Sequence, residues 1–309
     1  MLEKMSKAFT MIELIFVIVI MGIIGKFGVE FLAQAYSTFI NSKVNHELQT
    51  NSSSALNFIA NRLQYRIKDS VIARDTNNSF QGLSSNTNLN APILEWVGAD
   101  IDGFRGESNP YWSGIVDLST DESNSTSLRS PDTNTSAITN LIDALSNHDS
   151  SINDAALYFI GSNSDVRTGY GWDGNALDQN QTMHPINAGT DLDEFIPKAG
   201  TGTFSNIEVS EYYKLAWTAY AVGIVDYNTT GNKNVGTLTL WYDYQPWNGD
   251  TYLTKADGSD TKSAVIMENV STFQFMAIGS LIKVQVCSNS DLLKDEGKEY
   301  SVCKEKTIY

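Results

Sequence analysis

The sequence predicts an α+β protein, with one long N-terminal helix followed by a head of short antiparallel strands. Three observations carry that prediction. No proline occurs between Met1 and Ala91, and apolar residues recur there at spacings of three and four. Beyond that point the apolar residues fall in short runs, some of them alternating with polar ones as half-buried strands do. Clusters of Asn, Asp and Gly separate the runs and supply the turns.

The helix begins with the least polar part of the chain. Leu14 to Gly25 reads LIFVIVIMGIIG, and extending back to Phe9 adds only Thr10 and Glu13 as interruptions. That reaches the short end of the roughly 17–25 residues needed to span a bilayer. Lys4 and Lys7 precede the run, which places the N-terminus in the cytoplasm by the positive-inside rule. Lys26 follows it, long enough to snorkel to the headgroups. An ordinary secretory signal has the same order of charge and apolar run. For it, Ala33 and Ala35 around Gln34 offer a weak cleavage site. Past the span, Leu32, Tyr36, Phe39, Ile40, Val44 and Leu48 continue the stripe, and Leu56, Ile59, Leu63 and Ile67 resume it. From Phe9 to about Ile72 an unbroken helix runs to roughly 96 Å at 1.5 Å per residue. Asn51 to Ser54 is a poor helix former and a candidate bend. Gly22, Gly25 and Gly28 lie on adjacent turns and permit close helix packing, although Gly is frequent in membrane helices in general.

The head reads as strands at 93–97, 156–160, 216–222, 236–242, 272–276 and 282–286. Ser119 to Ser136 is a polar loop, and Ala137 to Leu145 a short helix. A helix with so wide an apolar stripe cannot stand bare in water, so its soluble half is expected to pack on the sheet.

Charge and composition exclude several function classes. The 309 residues carry 21 Lys+Arg against 36 Asp+Glu, a net charge of −15. Phosphate binding needs a basic face, so no nucleic-acid partner is expected, nor a polybasic membrane-surface role. The 41% hydrophobic and 11% aromatic content is too high for a disordered chain. Two cysteines exclude a disulfide-dense scaffold and a four-cysteine zinc site. No H-E-x-x-H, G-x-S-x-G or P-loop occurs, so no catalytic residue is assigned and the protein is read as a non-enzyme.

Lys7-Ala8-Phe9-Thr10-Met11-Ile12-Glu13-Leu14-Ile15 resembles the processing motif of type IV prepilins and type II secretion pseudopilins. Glu47-Leu48-Gln49 leading to 63–71 looks like the helix of J-type pseudopilins and W-type minor pilins. The 265–275 segment, with its Glu268-Asn269-Val270 turn, is similar to their C-terminal pattern. Ala8 stands where the family usually has Gly. The resemblance implies a leader peptide at 1–8, cut by a prepilin peptidase between Ala8 and Phe9, with Phe9 then N-methylated. It divides the rest into a membrane-spanning segment at 9–29, a soluble helical half at 30–72 and an exported, β-rich head at 73–309. It also implies that Glu13 meets the free amine of Phe9 on a neighbouring subunit. Taken alone, Thr10 to Glu13 also fits a T-x-x-E capping box. The expected role is a minor pilin or pseudopilin. Such a subunit is stored in the bacterial inner membrane with its head in the periplasm, then assembled at or near the tip of a pilus or pseudopilus, where it helps initiate assembly. Its partners would be other pilin subunits, the peptidase, the inner-membrane assembly machinery and membrane lipid. The alternatives are an uncleaved single-pass protein with a ligand-binding or adhesive head, and a secreted enzyme with an unusual signal. Removal of Lys4, Lys7 and Glu3 with the leader would leave 19 − 35, or −16, with nearly all of it on the head.

Other candidate sites lie in the head. Cys287 and Cys303, with fifteen residues between them, read as a disulfide in an exported domain; two separate buried thiols are the rival reading. A loop of that size contributes roughly 3 kcal/mol in the chain-entropy model. No cofactor is assigned. Calcium stays open at Asp100–Gly103, at Asp173–Asp178 and at Asp191–Glu194, but none of these has the full loop pattern, and solvated turns are the favoured reading. His46, His148 and His184 read as solvated. Tyr111-Trp112 and Tyr170-Gly171-Trp172 read either as an exposed partner surface or as side chains buried under a loop.

Overall fold

A computed structural model of the chain describes residues 10–85, 91–229, 234–290 and 300–309. The protein is α+β, as the pattern predicts. Helix α1 spans Met11–Leu63, 53 residues without a break, or about 80 Å. The Asn51–Ser54 stretch does not bend out of it, because Ser52 is buried and its hydroxyl meets that of Ser288 at 3.0 Å.

The helix ends nine residues before the expected Ile72, so the predicted helical half at 30–72 is corrected to end at Leu63. The cause is tertiary. The Arg66 guanidinium folds back to donate to Leu63 O at 2.8 Å, and it also reaches Tyr309 O and Ser280 O at 3.1 Å each. The Ile67 amide leaves the helical ladder and bonds Val97 O at 2.9 Å. No Pro or Gly marks this exit, so the sequence alone extends the helix too far.

Two short strands follow, β1 (Ile72–Arg74) and β2 (Phe80–Gly82), then β3 (Ile93–Gly98). Next come helix α2 (Ile101–Arg105), β4 (Leu128–Arg129) and helix α3 (Thr135–Leu145). Strands β5 (Ala156–Phe159), β6 (Met183–Ala188), β7 (Glu194–Pro197) and β8 (Tyr213–Ala216) complete the middle of the chain. The C-terminal third holds β9 (Thr218–Asn228), β10 (Val235–Tyr244), β11 (Lys262–Ile278), β12 (Leu281–Ser290) and β13 (Tyr300–Ile308). The predicted turn at Glu268–Val270 is a bulge inside the continuous β11: Asn269 takes φ 57° and the register with both neighbours shifts around it.

All strand pairs are antiparallel. One sheet has the order β13-β12-β11-β10-β9-β3-β1-β2, and a second has the order β4-β7-β6-β5-β8. The second sheet is an insertion: β3 and β9 are direct neighbours, paired from Leu94↔Val222 to Gly98↔Thr218, and everything between them loops out. Trp217 alone separates β8 in one sheet from β9 in the other.

Alternation along the strands sorts the core into layers. Leu94 and Trp96 of β3, with Val222, Leu238 and Leu240, pack with Leu56, Ile59 and Leu63 of α1. Ile93 and Val97 point to the other face and join Ala156, Tyr158 and Met183 of the second sheet. Leu157 and Phe159 then face Ile138 and Ile142 of α3. The stack is therefore α1, large sheet, small sheet, α3. The period-2 rule makes one strand serve two cores at once.

Between the sheets lies a buried ion pair. Arg74 is 1% exposed and Glu95 is 0% exposed, and the Arg74 guanidinium contacts both oxygens of the Glu95 carboxylate. Arg74 also donates to Asn78 Oδ1 at 2.9 Å and to Trp172 O at 2.8 Å, while the Tyr244 hydroxyl donates to Glu95 at 3.2 Å. Burial pushes the Glu95 carboxyl up, against the opposing pull of Arg74 and the Tyr244 hydroxyl. Such a pair adds little net stability, but breaking it strands a charge. Arg74→Ala is expected to destabilise the head by about 3–5 kcal/mol, and Arg74→Met with Glu95→Leu to recover most of that loss. Urea unfolding of the full chain in detergent checks this; a loss below about 1 kcal/mol for the single variant would contradict it.

Candidate functional site

The functional surface that the sequence singles out is the first half of α1. Every residue from Met11 to Phe39 is exposed, although most are apolar. Burial begins at Val44 and continues through Leu48, Ser52, Ala55, Leu56, Ile59, Ala60 and Leu63, steps of three and four that follow one face. The helix is thus covered at its C-terminal end and bare at its N-terminal end. It is long and apolar enough to span a membrane. The bare stretch runs to about 43 Å at 1.5 Å per residue, longer than the roughly 30 Å hydrocarbon core of a bilayer.

Glu13 sits in the first turn of this bare stretch. Thr10 is the N-cap, but its side chain makes no bond to the helix backbone; its hydroxyl points instead to Glu13 Oε2 at 3.4 Å. The reciprocal capping box is therefore not formed. Among the described residues no Lys or Arg pairs with Glu13. Lys26 does find a carboxylate, Glu30, at 3.9 Å on the exposed surface. Gly22, Gly25 and Gly28 are open to their surroundings, with nothing within 4 Å of an added Cβ. Ala8 and Phe9 lie outside the described residues.

Cys287 and Cys303 are joined in a disulfide. They stand directly opposite one another on β12 and β13, so the bond locks the register of the edge pair. Together, a bare apolar N-terminal helix, antiparallel sheets packed on its far half and a C-terminal disulfide define a pilin-like architecture. No protein-family model, curated protein or solved structure matches the chain.

The acidic clusters considered for calcium are engaged by their own chain. Asp100 caps α2 by accepting from the Gly103 amide at 3.0 Å and from Trp112 Nε1 at 3.1 Å; burial pushes its carboxyl up to about 6, against those bonds. Asp173 accepts from Asn175, and Asp178 uses its amide to bond Gln181. Asp191 and Asp193 both grip Arg129, at 2.5 and 2.8 Å, and Glu194 accepts from Ser127 at 2.6 Å. Among the described residues no group of three or more His, Cys, Asp or Glu is arranged to hold a metal ion.

The aromatic pairs resolve toward burial. Tyr170, Trp172 and Trp112 are at most 4% exposed and belong to the inter-sheet and α3 cores. His148 is exposed and meets Asp143 at 2.6 Å. His184 differs from the solvated reading: it is buried on β6, with Nδ1 against Gln179 O at 3.0 Å and its ring 5.0 Å from that of Phe159. The missed signal is the flanking Met183 and Pro185-Ile186, a run that becomes a buried strand.

Burial pushes the His184 imidazole down to about 4, against the pull of its bond to Gln179. Its folded pKa lies below the unfolded value of about 6.5, so it contributes stability above that value that is lost as pH falls toward 4. The contribution is about 3 kcal/mol over that window. His184→Gln is expected to flatten the acid side of the stability profile between pH 6.5 and 4. Melting temperatures of the two proteins across that range decide it; parallel curves would show that His184 does not carry the effect.

Proposed function

We propose that this chain is a minor pilin or pseudopilin, a non-enzymatic subunit held in the bacterial inner membrane and then drawn into a filament. The observation that carries the reading is the division of α1. One end is part of the head's core, and the other is an uncovered apolar cylinder with a carboxylate in its first turn, Glu13, that no Lys or Arg pairs among the described residues. A carboxylate in that setting is costly unless paired. The amine of Phe9, freed by cleavage after Ala8, on a neighbouring subunit would supply the missing cation. The bare stretch exceeds a bilayer core, and Phe31, Leu32, Tyr36 and Phe39 fall in its outer part. Neighbouring helices in a filament would cover them. The acidic head argues against a DNA-gripping role. Prepilin peptidase, other pilins and the assembly machinery are the partners this role requires.

The second reading, an uncleaved single-pass protein, is favoured by one feature, Ala8 in place of the usual Gly. Mass analysis of the N-terminal peptide separates the two: a methylated Phe9 supports the first, and a chain beginning at Met1 supports the second. In the first reading, Glu13→Ala leaves the neighbour's amine unpaired at a cost of about 3–5 kcal/mol. The variant should remain in the membrane with a folded head, yet be absent from sheared filaments. Normal incorporation would defeat the role of Glu13.

A further inference from the structure

Seven Asn residues stand two positions before a Ser or Thr with no Pro between, the minimal acceptor pattern for N-glycosylation. In five of them, Asn77, Asn124, Asn134, Asn180 and Asn228, an acid also stands two positions before the Asn: Asp75, Glu122, Asp132, Asp178 and Asp226. Asn51 and Asn269 have Gln49 and Met267 there instead. Acids make up 36 of 309 residues, so fewer than one such coincidence in seven is expected from composition. Turn chemistry does not account for the excess either. Of the 20 Asn residues without the downstream hydroxyl, only Asn109 and Asn175 have an acid at that position. The acid therefore tracks the acceptor pattern, not Asn itself.

The fold separates four of the five from the two that lack the acid. Asn77 lies in the turn between β1 and β2, Asn124 in the turn before β4, Asn134 at the start of α3 and Asn180 in the turn before β6, and all four are exposed. Asn228 ends β9, and its Thr230 lies outside the described residues. The two that lack the acid are embedded in regular structure, Asn51 within α1 and Asn269 within β11. Asn124 is the best presented. Its Oδ1 accepts from the Thr126 amide at 2.9 Å and from the Thr126 hydroxyl at 2.8 Å, and both residues are exposed. At Asn77, Ser79 is exposed and Asp75 Oδ1 holds the turn through the Asn77 and Ser79 amides. Thr182, the hydroxyl partner of Asn180, is buried, so that site is accessible only before the head folds.

We propose that the exported head is N-glycosylated on the loop asparagines among these, Asn77, Asn124, Asn134 and Asn180, by a membrane transferase that reads acid-x-Asn-x-Ser/Thr. A cation in the acceptor groove would pair with the acid, a charge-assisted contact that the bare three-residue pattern lacks. The donor is an oligosaccharide linked to a polyprenyl pyrophosphate. The Asn Nδ2 forms a bond to the sugar C1, the C1–O bond breaks, the pyrophosphate leaves with the electron pair, and the amide proton passes to a carboxylate of the transferase. The inference rests on export of the head but not on filament assembly.

Glycopeptide mass analysis of the full chain, isolated from membranes of its native cell, tests it. Glycan is expected at Asn77 and Asn124 and absent from Asn51 and Asn269. Glu122→Gln, an exposed substitution, should lower occupancy at Asn124 by roughly ten-fold, the loss of one charge-assisted contact, and leave Asn77 unchanged. Unmodified Asn77 and Asn124, or full occupancy at Asn124 in the variant, would overturn the proposal. The N-terminal peptide in the same digest reports on the filament reading separately: a Met1 start alongside glycosylated loops would remove that reading and keep this one.

Discussion

A single helix carries two unlike surfaces. Its C-terminal half is bound into the head by Leu56, Ile59 and Leu63, while its N-terminal half offers almost nothing but apolar side chains to its surroundings. No linker separates the halves, so the head cannot settle independently of whatever covers the bare end. This constraint explains why the buried face is set so firmly. The Ser52–Ser288 contact and the three carbonyl bonds of Arg66 fix both the rotation and the end of the helix against the sheet. An apolar helix with freedom to roll would expose its core stripe.

At β3, β9 and β10 the large sheet is loaded on both faces, an unusual demand on antiparallel strands, which commonly keep one face wet. Strand β3 meets it by being buried at all six positions. A charged side chain is costly in that setting unless its hydrogen bonds are completed. Arg74 and Glu95 show how: Asn78, the Trp172 carbonyl and the Tyr244 hydroxyl take up the groups that the pair itself leaves over. At the opposite end of the sheet, β13 has no further strand beyond it among the described residues, and there the Cys287–Cys303 bond holds what side-chain burial does not.

The sequence made the ends of the molecule legible and the middle much less so. The apolar run, the helical stripe and the alternation at Ile282 to Val286 are local signals, and each appears where periodicity puts it. The helix exit after Leu63 is not local: it depends on Arg66 reaching carbonyls more than 200 residues away and on Ile67 pairing with Val97. Strands β1, β2, β6 and β7 are three to six residues long, too short for a period to be read. His184 reads as solvated because the polar run Asp178 to Thr182 leads up to it and masks the apolar Met183 and Ile186 beside it, while its neighbours in space are Phe159 and Leu157. For the candidate site the balance differs. Glu13 and the two cysteines were identifiable from residue type and position, but only the fold shows that Glu13 lacks a cation among the described residues and that the cysteines face each other across an edge pair.

The route of the chain through the small sheet has an evolutionary consequence. The insertion leaves the large sheet after Gly98 and returns at Thr218, two residues that face each other in adjacent strands. Its two ends are tied where they meet, by the Asp100 amide on Leu215 O at 2.8 Å. Geometrically this is a hairpin whose turn has been replaced by more than a hundred residues. A module mounted in that way can be lengthened or shortened in its outer parts with no change to the register of the strands that carry it, since the cost of closing a loop grows only slowly with its length. Variation in the outermost layer, around α3, can thus accumulate without disturbing the large sheet, whereas the inner layer of the module is held to Ile93, Val97 and Arg74 and is not free to diverge.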